Sequence, residues 1–175
     1  MGNTDILKGK SILIVDDEKD ILDSLKEILD DCFIDTAVSF KTAKEYLSRA
    51  RYDALIFDIM GVNGYGLLSI AQNLNIPVIM LTAHGLSAEH FKKSITRGAF
   101  AYIPKEKMAY IDVYLADLIR TYQESGRKSG NWFSLLRAYF ENKFGSGWFD
   151  TDEEFRRNFD SEFLVSREYL GNIFS

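Results

Sequence analysis

Four short apolar runs in this chain each end on a polar residue able to bind a cation or a phosphoryl group. Residues 11–15 lead into Asp16 and Asp17, residues 53–57 into Asp58, residues 77–81 into Thr82, and residues 100–104 into Lys105. Gathered at one place, three carboxylates, a hydroxyl and an ammonium make a site for a divalent cation and a phosphoryl group. The carboxylates are hard oxygen ligands. The ammonium and hydroxyl can donate to phosphoryl oxygens.

These residues meet only if the runs are neighbouring strands. Short β-rich apolar runs separated by helix-length segments read as buried parallel strands. In such a sheet the ligand site lies at the carboxyl ends of the strands. The intervening segments have helical spacing. Residues 18–31 place Ile21, Leu22, Leu25, Ile28 and Leu29 on one face. A second strand fits 34–38, and 42–50 reads as a helix. The glycine-rich loop 61–66 leads to a helix carrying Leu67, Leu68, Ile70, Ala71 and Leu74. Ser87 is placed to cap a helix ending near Gly98. A fifth helix over 106–124 aligns Met108, Ile111, Leu115, Leu118, Ile119 and Tyr122. Five βα units predict a flavodoxin-like, doubly wound α/β fold with strand order 2-1-3-4-5. That order sets strands one and three side by side, with Asp16, Asp17 and Asp58 adjacent.

Composition narrows the function. The net charge is -5 and the pI about 5.1, which disfavours a general nucleic-acid binder. Cys32 is the only cysteine, excludes an internal disulfide, and reads as a small buried hydrophobe in a reducing cytoplasm. No signal peptide is visible at the N-terminus, and no apolar run approaches the ~20 residues of a membrane span.

Three regions are expected: a first domain over 1–124, a polar linker over 125–130, and a helical, aromatic-rich extension over 131–175. Twelve of the 24 aromatic residues lie from Trp132 onward. Phe133, Leu136, Phe140 and Phe144 predict a helix over 131–143, ended by Gly145. Thr151 and Glu154 have capping-box spacing before Phe155, Phe159 and Phe163. Ser166 could cap a last short helix with Tyr169, Leu170 and Ile173.

The ordered set resembles the receiver domain of bacterial two-component response regulators over about residues 10–124. The resemblance rests on Ile-Leu-Ile-Val-Asp16-Asp17-Glu, on Asp58 after its apolar strand, on Thr82-Ala83, and on Gly98-Ala99 leading to Tyr102 and Lys105. It implies that Asp58 is the phosphoacceptor, since a carboxylate can attack phosphorus and form an acyl phosphate. It implies Mg²⁺ held by Asp16, Asp17, Asp58 and the Met60 carbonyl, and phosphoryl oxygens met by Lys105 and Thr82. Ala83 would leave room for the phosphodonor. Thr82 and Tyr102 would form the switch, and the fourth helix, fifth strand and fifth helix the output face. Such a protein is a phosphoacceptor with slow autodephosphorylation rather than a turnover enzyme. Its donor would be a sensor histidine kinase or a phosphotransfer protein, and it would act on a downstream protein, with homodimer formation a further expectation.

Two departures from the family pattern stand out. Glu106 follows Lys105 where the family usually has proline, and Pro104 precedes it. A cis bond there would cost about 2.5–4 kcal/mol without the proline, so a trans bond is expected. The loop after Asp58 reads Gly61-Val62-Asn63-Gly64-Tyr65-Gly66 in place of the common Met-Pro-Gly-Met-Asp-Gly. The extension reads best as an interaction module, packed on the first domain or on a second subunit and exposed or released on phosphorylation. The alternatives are a phosphorylation-independent adaptor and a transcriptional regulator whose residues 166–174 form a minimal helix-turn-helix. Seven basic against eight acidic residues over 126–175 suit phosphate contacts poorly.

Overall fold

The four apolar runs and the second strand read at 34–38 become strands of one parallel sheet. A computed structural model describes residues 4–84 and 86–166. The strands are β1 (Ser11–Val15), β2 (Phe33–Ala37), β3 (Ala54–Asp58), β4 (Val78–Thr82) and β5 (Ala101–Pro104). Their order is β2-β1-β3-β4-β5, every neighbouring pair parallel. β3 and β4 are buried at every position, as continuous apolar runs covered on both faces must be. β2 lies at an edge, and its Phe33 and Asp35 face solvent.

The helices are α1 (Lys19–Ile28), α2 (Phe40–Arg49), α3 (Gly64–Asn73), α4 (Ala88–Thr96) and α5 (Ile111–Ser125). Leu22 and Leu25 of α1, Leu67, Leu68 and Ala71 of α3, and Ile111, Leu115, Leu118 and Ile119 of α5 are buried against the sheet. The Ser87 hydroxyl caps α4 by accepting from the His90 N–H at 3.0 Å.

Several boundaries differ from the sequence reading. The first helix stops at Ile28, before Asp30 and Asp31, which are exposed. The second starts at Phe40 because Ser39 caps it from outside. Residues Lys105–Tyr110 form a 3₁₀ segment, so the fifth α-helix starts only at Ile111. Cys32 is half-buried, and its thiol donates to the Leu7 carbonyl at 3.4 Å.

Beyond α5 come β6 (Lys128–Ser129), α6 (Asn131–Phe144), α7 (Glu153–Glu162) and β7 (Phe163–Leu164). β6 and β7 pair in parallel, so part of the 125–130 segment belongs to a small second sheet. The expected capping box is replaced. Asp152 caps α7 by accepting from the Phe155 N–H at 3.1 Å, while the Thr151 hydroxyl donates to the Trp148 carbonyl. Phe163, expected to continue the helical series, opens β7. The last short helix read at 166–173 and the helix-turn-helix candidate lie, Ser166 apart, outside the described residues.

The extension packs on α4, β5 and α5. Phe91 of α4 is fully buried, with the rings of Trp132, Phe133, Phe140, Trp148, Phe155 and Phe159 at 4.9–6.5 Å. Asp117 of α5 accepts from the Ser129 hydroxyl and from the Asn131 amide at 3.0 and 3.2 Å. The face expected to carry the output is therefore covered by the chain's own C-terminal segment.

Candidate functional site

The strand tips bring the expected residues together. Val15 of β1 pairs with Phe57 of β3, so Asp16 and Asp58 leave adjacent strands at the same level. Both are buried, whereas Asp17 is exposed. Thr82 pairs with Pro104, which brings Lys105 to the same edge. The Lys105 ammonium lies 2.7 Å from Asp16 Oδ2, 2.9 Å from Glu18 Oε1 and 3.3 Å from Asp58 Oδ1. One cation thus answers three carboxylates, and the Lys105–Glu106 bond that follows it is trans.

Electrostatics set the protonation of the site. Burial, reinforced by the Asp16 charge and opposed by Lys105, pushes the Asp58 carboxyl up to about 6. Burial also raises Asp16, against the pull of Lys105 and the Glu18 N–H. Burial alone would lower the Lys105 pKa, but Asp16 and Glu18 outweigh it and the net shift is upward. Carboxylates crowded this closely call for more positive charge than one ammonium supplies.

The donor set fits a small hard cation. Carboxylate oxygens of Asp16, Asp17 and Glu18 lie within 4.8 Å of one another. Asp16 Oδ2 is buried without an aligned hydrogen-bond donor among the described residues, although it is ion-paired to Lys105. All-oxygen ligation with few protein ligands is the preference of Mg²⁺.

Sequence reasoning passed over three contributors. Glu18 enters the sequence reading only as the residue after Asp17, with no role of its own, yet it holds Lys105 at 2.9 Å. Gly61 has φ +80°, and a Cβ there would come within 2.6 Å of Asp17 Oδ2. A Cβ on Gly64 would meet the Asp58 carbonyl oxygen at 2.2 Å. The altered loop therefore needs these glycines for close approach of backbone to the acidic cluster. The only available signal was the glycine-rich run itself.

The remaining expected residues lie on β4, on β5 and on the loops that follow β3 and β4. Thr82 is buried at the end of β4, and Ala83 beside it is exposed. Met60 is exposed on the loop after Asp58. Tyr102 is wholly buried two residues before Pro104. Its hydroxyl accepts from the Ser87 N–H at 3.2 Å, and its ring meets Phe91 at 5.2 Å and Phe140 at 6.0 Å.

Residues 12–112 match the family model of the response regulator receiver domain. The chain belongs to this family. Solved receiver structures agree. A putative response regulator from Chloroflexus aurantiacus is 28% identical with a TM-score of 0.57, the match covering 64% of this chain and 98% of that one. The receiver domain of NtrX from Brucella abortus is 31% identical with a TM-score of 0.55, covering 62% and 96%. A CheY-like receiver protein from Methanospirillum hungatei is 28% identical with a TM-score of 0.56, covering 65% and 98%. Curated proteins give no match. Each receiver is matched almost whole, yet over a third of this chain lies outside each match. Among the described residues, no helix of this receiver protein is long and apolar enough to cross a membrane.

Proposed function

We propose that this receiver accepts a phosphoryl group on Asp58 from a sensor histidine kinase or phosphotransfer protein. One observation carries the reading: Asp58 is a buried strand-end carboxylate 3.3 Å from the Lys105 ammonium, beside Asp16. Asp58 attacks phosphorus in line, and the bond from phosphorus to the donor's nitrogen breaks as the new P–O bond forms. Asp16, Asp17, Asp58 and the Met60 carbonyl would hold Mg²⁺, which neutralises charge on the transferring group. Lys105 turns from Asp16 and Glu18 toward a phosphoryl oxygen, and the Thr82 hydroxyl donates to another. Exposed Ala83 leaves the approach open.

The switch through Thr82 and Tyr102 then acts beneath the extension. Fully burying a large apolar side chain contributes about 1.5–3 kcal/mol, so the seven buried extension aromatics contribute roughly 10–20 kcal/mol. Coupling between sites is typically about 1–3 kcal/mol. Phosphorylation therefore shifts the docked extension rather than ejecting it, and the extension itself presents the surface read by a downstream protein.

Intact-protein mass after incubation with Mg²⁺ and acetyl phosphate tests the first step. A gain of one phosphoryl group in wild type and none in Asp58→Ala is expected. A gain in both proteins would place the acceptor elsewhere. A folded wild type that stays unmodified and binds no beryllofluoride would favour the phosphorylation-independent adaptor, a reading motivated by Glu106 in the proline position.

A further inference from the structure

Glu106 follows the lysine that pairs with Asp58, and its carboxylate is engaged by the extension. The Tyr139 hydroxyl of α6 donates to Glu106 Oε1, and Lys143 Nζ lies 3.9 Å from the same oxygen. Lys107 and Lys143 place their ammonium groups 5.3 and 5.6 Å from the Tyr139 ring. The next residue, Phe140, packs edge-on to Tyr139 at 5.7 Å and reaches Tyr102 at 6.0 Å. One turn of α6 thus touches both the residue after Lys105 and the buried tyrosine of β5.

We infer that Tyr139 is a positioning residue for Lys105, acting through Glu106. Proline would stiffen the backbone at this place by its ring. Here a side-chain tether from the extension holds the 3₁₀ segment that begins at Lys105. The inference rests on Asp58 being the phosphoacceptor. Coupling between two sites is reciprocal. If the tether favours the Lys105 position that binds a phosphoryl group, occupancy at Asp58 must shift α6, and loss of the tether must weaken that occupancy.

The test uses the full chain with Mg²⁺ and beryllofluoride, a phosphoryl mimic. Bound fluoride is read by ¹⁹F NMR. Trp132 and Trp148, both in the extension, report its environment by emission. Wild type is compared with Tyr139→Phe, Glu106→Ala and the double variant. Tyr139→Phe keeps the ring and its packing, and the Glu106 side chain is exposed, so both variants keep the fold. A hydrogen bond to a charged group, discounted for exposure, predicts about three- to tenfold weaker beryllofluoride binding in each single variant. Mg²⁺ affinity by calorimetry stays unchanged, the emission change on binding shrinks, and the double variant is no worse than either single one. Wild-type affinity and emission response in Tyr139→Phe, or losses that add in the double variant, overturn the inference while leaving Asp58 as acceptor. Absence of a bound fluoride signal in wild type overturns both readings.

Discussion

β5 serves two regions built on opposite physics. Lys105, directly after the strand, belongs to a cluster of charges buried at Asp16 and Asp58 and exposed at Asp17 and Glu18, whereas Tyr102, on the strand itself, lies under a layer of aromatic rings. The charged region costs stability, since carboxylates are held out of water and raised in pKa by burial. The aromatic region stabilises through area removed from water and is nearly indifferent to pH. The difference separates duties: the strand tips can remain frustrated and responsive because the extension holds the other face firmly.

The strongest way to break this contrast is at Phe91, where α4 meets six extension rings. Phe91→Ala is expected to cost about 3–5 kcal/mol, as large-to-small changes at fully packed aromatic sites do. Urea unfolding followed by tryptophan emission measures it. A loss below about 1 kcal/mol would mean that the extension is held by something other than this cluster.

The charged region should respond with the opposite sign. Asp58→Asn removes a buried charge at nearly constant shape. Because the folded-state pKa of Asp58 is raised from 3.8 to about 6, the native state holds its proton more tightly than the unfolded chain. Stability of the wild type therefore falls as pH rises between about 4 and 6, and the deficit is complete above that window. Without Mg²⁺, Asp58→Asn is expected to gain up to about 3 kcal/mol at pH 7–8, the gain vanishing near pH 4. Saturating Mg²⁺ should shrink it, because the wild type gains a compensating cation. Melting temperatures across pH with and without Mg²⁺ report both effects. A gain independent of pH would remove the electrostatic account.

The two regions also differed in how far they could be read from residues alone. The tips were legible because a buried parallel strand is a continuous apolar run, and the polar residue ending it is fixed at the sheet edge by topology. Asp16, Asp58, Thr82 and Lys105 needed only order and spacing. Glu18 escaped notice because an acid at a helix start is already explained by the helix dipole. In the extension, the helices showed through the spacing of Phe133, Leu136, Phe140 and Phe144, but their docking site did not. Phe91 is one apolar residue between polar neighbours on α4, and non-directional burial carries no address in a sequence. β6 is two residues long, too short for periodicity to mark, and the glycines around it read as a linker.

Gly61→Ala sharpens the comparison within the charged region, by separating backbone fit from charge. At φ +80° an added Cβ is strained and would meet the Asp17 carboxylate. The expected cost is about 1–3 kcal/mol of stability, with weaker Mg²⁺ binding because Asp17 must move. Unchanged Mg²⁺ affinity by calorimetry would show that Asp17 is not a ligand, whatever the stability loss.

The smallest effect belongs to the rim of the aromatic region, at Asp152. Its carboxylate caps α7 and pairs with Lys92 of α4 at 3.2 Å, the residue next to Phe91. Its pKa lies below the usual carboxylate range, chiefly through the Phe155 N–H and then Lys92. Because the group is only half-buried, the ion pair is screened by solvent and the cap supplies most of the effect. Asp152→Asn keeps an oxygen that can cap and loses only the pairing, whereas Asp152→Ala loses both. Asp152→Ala should therefore lower stability measurably and Asp152→Asn clearly less. Equal losses in the two variants would mean that charge, not the cap, joins α7 to α4, and the aromatic layer would then be less self-sufficient than its burial implies. Salt distinguishes the cases further. The Asp152→Ala deficit should persist in high salt if the cap dominates, and fade if the Lys92 pair does.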